Sequence, residues 1–83
     1  MKTTVKELKG LSSFLNKKIL LMCGNYFYTG ILSGINSTCV LLKDAHIVYE
    51  TGAWTGKSYK DIQKLPSDWY VQIAAIESYG GGI

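Results

Sequence analysis

The spacing of apolar residues changes once along the chain, near residue 18, and separates a helical pattern from a β pattern. Before that point, Leu8, Leu11 and Leu15 recur at the three- and four-residue intervals that place side chains on one face of a helix. We therefore predict a short N-terminal helix over Thr4–Lys17.

Beyond residue 18 the apolar residues form short runs that are separated by turn-forming residues. The first run, Ile19–Cys23, has no polar position, which is typical of a strand buried on both faces. Glycine, asparagine and serine interrupt the pattern at two points and predict turns. The predicted strands are Ile19–Cys23, Tyr26–Ile35 and Cys39–Asp44, the last prolonged by Ile47–Tyr49, with turns at Gly24–Asn25 and Asn36–Thr38.

The segment Glu50–Asp68 is polar and long for a connection, so we expect either a protruding hairpin or a mobile loop. Strand character resumes at Trp69–Ala74. Ala75–Tyr79 follows with almost no room for a loop, so either one long strand bends here or two strands meet at a corner. The glycines of residues 80–83 predict a flexible tail.

Two glycines inside the second predicted strand, Gly30 and Gly34, indicate sharp bending, because glycine within a strand marks a bend or the close approach of another backbone. Short strands that bend in this way can close into a barrel. The pattern therefore predicts a mainly β fold in a single domain over residues 1–83. In this fold an N-terminal helix precedes a five-stranded, strongly bent antiparallel small barrel.

Composition favours self-association. The chain is 47% hydrophobic and 18% charged, whereas a domain of this size buries only about 60% of the surface of its unfolded chain. Contacts between subunits would hide the remaining apolar surface. The net charge of +3, from nine lysines, no arginine and six acidic residues, permits an anionic partner. Because the chain has no arginine, it lacks the guanidinium groups that recognise guanine and phosphate through paired hydrogen bonds.

Location and chemistry follow from what the sequence contains. No charged leader with an apolar core opens the chain, and glycine and asparagine interrupt its longest uncharged run, Ile19–Leu42, so we expect a cytoplasmic protein with no membrane partner. Cys23 and Cys39 form no metal-ligand pattern with His46, so two reduced thiols are expected. No residues suggest catalysis, and we expect no metal, no cofactor and no enzymatic activity.

The polar segment carries a mixture of basic and aromatic residues that is typical of surfaces for single-stranded nucleic acid. The alternative, which we favour, is a twisted hairpin whose aromatic rings pair across strands while lysines protect its edge. The residues concerned are Trp54, Lys57, Tyr59, Lys60 and Lys64.

Three stretches of the chain, GILSGIN at residues 30–36, CVLLKDA at residues 39–45 and QIAAIESY at residues 72–79, resemble motifs of the Sm and Sm-like (LSm) family, to which bacterial Hfq is related. GILSGIN resembles the first-motif pattern G-x-L-x-G-x-D. CVLLKDA resembles N-L-x-L-x-D-A, and QIAAIESY occupies the place of the second motif, R-G-x-x-I. The resemblance covers about residues 5–79 and identifies the chain as a divergent member of the family.

The resemblance implies an SH3-like small barrel that assembles into a homo-oligomeric ring of five to seven subunits. It also implies binding of single-stranded RNA around the pore and a role in RNA metabolism. The family's base pocket corresponds here to Asn36, Thr38, Cys39, Gln72 and Ile73. Thr38 has no ring for stacking and Gln72 lacks the charge of the family's arginine, so a divergent pocket is expected. The alternative is a ring that acts as a protein-interaction scaffold without RNA, with the long hairpin as its contact surface.

Overall fold

Residues 10–83, which the computed structural model describes, form one antiparallel sheet of six strands with two short 3-10 helices. The mainly β fold that the sequence predicts is thus confirmed. In chain order the strands are β1 (Lys18–Cys23), β2 (Phe27–Ile35), β3 (Cys39–Glu50), β4 (Asp61–Lys64), β5 (Trp69–Gln72) and β6 (Ile76–Gly81), and the 3-10 helices span Gly10–Phe14 and Ile73–Ala75.

The helix predicted over Thr4–Lys17 is not α-helical in its described part, and its residues 4–9 lie outside the described residues. From residue 10 the chain forms only the 3-10 helix Gly10–Phe14, whose first residue has φ +61°. Asn16 has φ +65°, and this left-handed region ends helices rather than continuing them. The Asn16 amide donates to the Leu32 carbonyl at 2.7 Å, so the chain turns onto β2 just before β1 begins.

The strands lie in the order β4-β3-β2-β1-β6, and β5 pairs with the first half of β3. Because β4 pairs with the second half of β3, these two short strands share one side of it. β1 lies between β2 and β6 and is buried on both faces, as predicted. Ile19 and Leu21 belong to the main core, and Leu20 belongs to a second core.

The sheet curls strongly, because a very short connection joins its two ends. β5 lies at one end and β6 at the other, yet only Ile73–Ala75 separates them in the chain. Four residue steps span at most roughly 14 Å, so the two ends approach one another. Within residues 10–83, however, no pairing joins β5 to β6. The expected five-stranded closed barrel is therefore a six-stranded curled sheet that stays open.

The additional strand comes from the segment in which we expected a hairpin or a loop. β3 continues through Glu50 and pairs with β4, and residues 51–60 connect these two strands. Pro66, which has no N–H to give to a ladder, lies between β4 and β5. Opposite this interruption Asp44 adopts φ +50°, so β3 changes direction where it passes from one short strand to the other.

Two clusters of buried side chains lie on opposite faces of β1. The main core contains Ile19, Leu21, Cys23, Leu32, Val40, Leu42, Ala45 and Val71, and the second contains Leu20, Val48 and Tyr59. Because Tyr59 belongs to the β3–β4 connection, the second core holds that connection against the sheet.

The close approach of β3 requires glycine at position 30 but not at position 34. A Cβ atom on Gly30 would lie 2.8 Å from the Lys43 carbonyl oxygen, whereas one on Gly34 would lie 3.6 Å from the Leu41 Cβ atom. Both glycines lie beside shifts in the register of β2 with β3. These shifts agree with the predicted bending of this strand.

The glycines expected in a flexible tail belong instead to the sheet. Gly80 and Gly81 end β6 and pair with β1. The Gly82 amide then donates to the Lys18 carbonyl at 3.0 Å. Main-chain pairing needs no side chain, so a glycine-rich composition does not by itself predict a free tail.

Candidate functional site

The five pocket positions that the resemblance indicates come together at one end of β3. Asn36 and Thr38 lie in the β2–β3 turn, and Cys39 begins β3. Cys39 is the cross-strand partner of Gln72, the last residue of β5. The Ile73 amide donates to the Thr38 carbonyl at 2.8 Å. The turn and the β5–β6 connection are thus joined into one surface, which we call the turn surface.

Asn36 shapes the turn. Its side-chain oxygen Oδ1 accepts hydrogen bonds from the Thr38 amide at 2.8 Å, the Thr38 hydroxyl at 3.1 Å and the Cys39 amide at 2.8 Å. An asparagine that bonds its own backbone two residues on is a common way to build a tight turn. The oxygen is therefore occupied. The side-chain NH2 group has no acceptor within residues 10–83, so it can donate a hydrogen bond to a ligand.

The second polar group of the turn surface is the Gln72 amide. Gln72 is exposed, and within the described residues its side chain has no hydrogen-bond partner. An amide offers two donors and one acceptor oxygen, so it can bond to the edge of a base. Ile73 is half-buried beside it and adds apolar surface.

An aromatic ring that no family motif indicates lies on the same face. Tyr70 is opposite Leu41 in the β3–β5 ladder. It precedes Gln72 by two residues and so shares its face of β5. The residue between them, Val71, is buried, whereas Tyr70 is 67% exposed. The alternation of apolar and polar positions in WYVQ is the feature of the sequence from which an outward-facing Tyr70 could have been predicted. A groove of about 230 Å³ here is lined by Gly34, Ile35, Asn36, Cys39, Leu41 and Tyr70.

A larger cavity, of about 550 Å³, opens between the β1–β2 turn and β5. Three tyrosines and a buried thiol contribute to its walls, namely Tyr26, Tyr28, Tyr70 and Cys23. Burial raises the pKa of the Tyr28 hydroxyl, and the nearby Cys23, Tyr26 and Tyr49 raise it further. Burial also raises the pKa of the Cys23 thiol. Both groups therefore stay neutral near pH 7, and none of the residues lining this cavity is charged.

The basic and aromatic residues of the polar segment do not form one surface. Tyr59 is buried in the second core, where its hydroxyl accepts a hydrogen bond from the Ile83 amide at 3.0 Å. A buried ring cannot stack on a base. Trp54, by contrast, is 64% exposed, and Lys57 is exposed as well.

The two remaining lysines of that set are engaged in ion pairs. Lys60 lies 3.4 Å from Glu50, and Lys64 lies 3.3 Å from Asp44. Both pairs are well exposed to solvent. They contribute little to stability, but they reduce the positive charge that this segment offers to a phosphate.

Within residues 10–83, no three potential metal-ligating side chains come close enough together to hold an ion. His46 Nδ1 lies 3.0 Å from the carbonyl oxygen of Asp44, a contact between near neighbours in β3. The described residues also include no helix with the length and hydropathy needed to cross a lipid bilayer.

Comparison with protein-family models and with curated proteins gives no match for this sequence.

Proposed function

We propose that this protein forms an Sm-like homo-oligomeric ring and binds single-stranded RNA at the turn surface. The observation that carries the proposal is the convergence of the pocket positions. Cys39 pairs with Gln72, and Ile73 bonds to Thr38, so residues more than thirty positions apart in the sequence form one surface with Asn36.

Assembly is supported by the unpaired edges of the curled sheet. Among the described residues, β5 pairs only with β3, and β6 pairs only with β1. An exposed edge offers a row of N–H and C=O groups to a further strand. Pairing β5 of one copy with β6 of the next is a head-to-tail contact, and such contacts form a ring when the rotation between copies closes.

The composition of the edge strands also favours pairing. β4 lies at an edge and carries Asp61 and Lys64, whereas β5 has no charged residue and β6 has only Glu77. Charged side chains on an edge strand oppose the addition of another strand. Tyr79 is 40% exposed on β6, so this edge has apolar surface to bury.

RNA as the ligand is supported by the amide groups of the turn surface and by the overall charge. The NH2 groups of Asn36 and Gln72 can donate to the carbonyl oxygens of a base. The net charge of +3, from nine lysines against six acidic residues, attracts phosphates in a salt-dependent way.

Two measurements test this proposal. Light scattering at tens of micromolar protein measures the subunit number, and we expect the five to seven subunits of a ring rather than one. Fluorescence anisotropy with labelled oligo-U and oligo-A, at low and at moderate salt, measures binding, which we expect to weaken as salt rises. A monomer would exclude the ring. A ring that binds neither oligonucleotide at micromolar concentration would exclude RNA as the ligand.

A matched pair of variants locates the RNA. Gln72→Leu removes an unpaired amide from the turn surface, and we expect it to weaken binding by roughly 2- to 10-fold, the equivalent of one hydrogen bond. Gln63→Leu is the control, because Gln63 is an exposed amide on β4. Equal effects of the two changes would place the RNA elsewhere.

One observation favours a second function, a ring that acts as a scaffold for another protein. Trp54 is 64% exposed in the β3–β4 connection, and exposed tryptophan is enriched among residues that dominate protein interfaces. Trp54→Ser is a better test than deletion of residues 51–60, because deletion would remove Tyr59 from the second core. A bound protein that is lost from pull-downs with Trp54→Ser, but retained with Lys57→Ser, would support the scaffold.

A further inference from the structure

We infer that Tyr70 is the base-stacking residue of this protein and that the groove beside it holds one base of the bound strand. This inference rests on the proposed function, because it assigns a role within the same RNA site. It adds a residue that lies outside both family motifs and supplies the flat ring that position 38 lacks.

The ladder between β3 and β5 determines where the ring lies. Leu41 is paired with Tyr70, and Cys39 is paired with Gln72. Because side chains two residues apart in a strand share a face, these four side chains form one continuous patch. The patch begins at the Asn36 turn and extends along β5.

The groove combines the two kinds of contact that hold an unpaired base. Its walls include apolar surface from Ile35 and Leu41, the ring of Tyr70, and Asn36 at its end. Stacking on an aromatic ring provides affinity without depending on the identity of the base. The NH2 group of Asn36, which is a lining residue of the groove, has no acceptor within residues 10–83. The Gln72 amide lies two residues beyond Tyr70 on the same face of β5. Both can bond to the edge of the stacked base.

The exposure of Tyr70 distinguishes it from the other tyrosines that line cavities. The residue is 67% exposed, compared with 47% for Tyr26, while Tyr28 is half-buried against the main core. Tyr70 also takes part in no ring-ring contact or side-chain hydrogen bond within residues 10–83. Its face is therefore available without rearrangement of its neighbours.

Substitution of the ring provides the first test. Tyr70→Phe keeps the ring and should bind labelled oligo-U or oligo-A within about threefold of the parent. Tyr70→Leu removes the ring and should weaken binding by roughly 5- to 150-fold, which corresponds to the loss of one stacked base. Tyr49→Leu is the control and should bind like the parent, because Tyr49 is 51% exposed on β3 and lines neither the groove nor the larger cavity. Light scattering on each variant verifies that the subunit number is unchanged.

Photochemical crosslinking provides a second test that needs no substitution. A 4-thiouridine-containing oligo-U is irradiated with the parent protein, and the crosslinked peptides are identified by mass spectrometry. We expect the crosslinks to fall on Tyr70 or its immediate neighbours in β5.

The outcomes separate this inference from the proposed function. Binding that is equal in Tyr70→Leu and the parent, with crosslinks outside β5, would overturn the inference and leave RNA binding in place. A Tyr70→Leu variant that loses its oligomeric state while crosslinks still avoid β5 would also overturn it, because Tyr70 would then be a subunit contact. A parent ring that binds no oligonucleotide would overturn both.

Discussion

Replacement of Gly30 by alanine tests whether the curled sheet depends on the close approach of β3 to β2. An added Cβ atom would lie 2.8 Å from the Lys43 carbonyl oxygen, 3.1 Å from the Leu42 Cβ atom and 3.3 Å from the Ala45 Cα atom. The nearest of these is a backbone atom, which cannot move away by a change of rotamer. The two strands must therefore separate, and the register shift between Thr29 and Ile31 is the place where they would do so.

The expected cost follows from the overpacking of a buried site. Forcing an extra carbon into a packed interior costs about 1–3 kcal/mol. Against this, alanine restricts the unfolded chain and favours the folded state by about 0.4–1 kcal/mol. The restriction of the unfolded chain is the same for any glycine whose folded conformation alanine can adopt. It therefore cancels when the free energy of unfolding is compared with that of a second glycine-to-alanine variant.

Gly34→Ala is that control. Gly34 lies in the same strand and also beside a register shift, but its added Cβ atom would be 3.6 Å from Leu41, which is an ordinary contact. The difference between the two variants in the free energy of unfolding therefore isolates the clash, and we expect it to be about 1–3 kcal/mol. With a urea m-value of about 1 kcal/mol/M for a small chain, the two midpoints should differ by roughly 1–3 M.

The assay is urea unfolding followed by circular dichroism and tryptophan fluorescence, with parent and variants at one protein concentration because assembly stabilises the folded state. Equal midpoints for Gly30→Ala and Gly34→Ala would refute the reasoning. A urea midpoint for Gly34→Ala that is lower than the midpoint for Gly30→Ala would also refute it, because the distances would then not determine which glycine is required.

Four further predictions concern the turn, the second core and the two thiols. Asn36→Ala removes the acceptor of three hydrogen bonds and should lower the free energy of unfolding by about 1–2 kcal/mol, whereas Asn36→Asp keeps the acceptor and should lose less; urea midpoints measure both. Tyr59→Phe leaves the Ile83 amide without its acceptor and should cost about 1 kcal/mol, with faster amide exchange at residue 83 as a second readout. Iodoacetamide should modify the half-buried Cys39 well before the buried Cys23. Burial raises the pKa of the Cys23 thiol in the folded protein, so as pH rises this thiol ionises first in the unfolded protein. The free energy of unfolding should therefore fall as pH rises above about 9. Cys23→Ala should reduce that fall.

The sequence predicted the strands that bury apolar side chains, because burial imposes a pattern. Ile19–Cys23 has no polar position and is buried on both sides, and Asn36–Thr38 forms a turn through its own side chains. β4 could not be predicted in this way. All four residues of Asp61–Lys64 are exposed, so nothing in their hydropathy distinguishes this strand from the loop that precedes it.

The sequence pattern could not predict the bend in β3 or the end of the expected helix, for a different reason. Asp44 and Asn16 adopt positive φ angles, and asparagine and aspartate tolerate this region without requiring it. Whether a given residue uses that freedom depends on what lies opposite. At Asp44 the opposite side changes from β5 to β4 across Pro66, which is a tertiary arrangement and not a local preference.

The pairing of β3 with β5 brings the five positions of the proposed pocket together, but the motifs did not point to the ring beside them, because a motif describes positions along the chain and a ligand contacts a face. Thr38 occupies the position where the resemblance expects a stacking residue, and a motif reading therefore finds no ring. On a paired sheet, however, side chains that share a face on neighbouring strands lie about 5 Å apart, so a ring from one strand can reach a base held by the next. Tyr70 lies on the same face as Cys39 and Gln72 and is in this position relative to the turn. If the proposed site binds RNA, backbone pairing would hold the pocket positions together while the stacking ring comes from β5, a strand position outside the motifs.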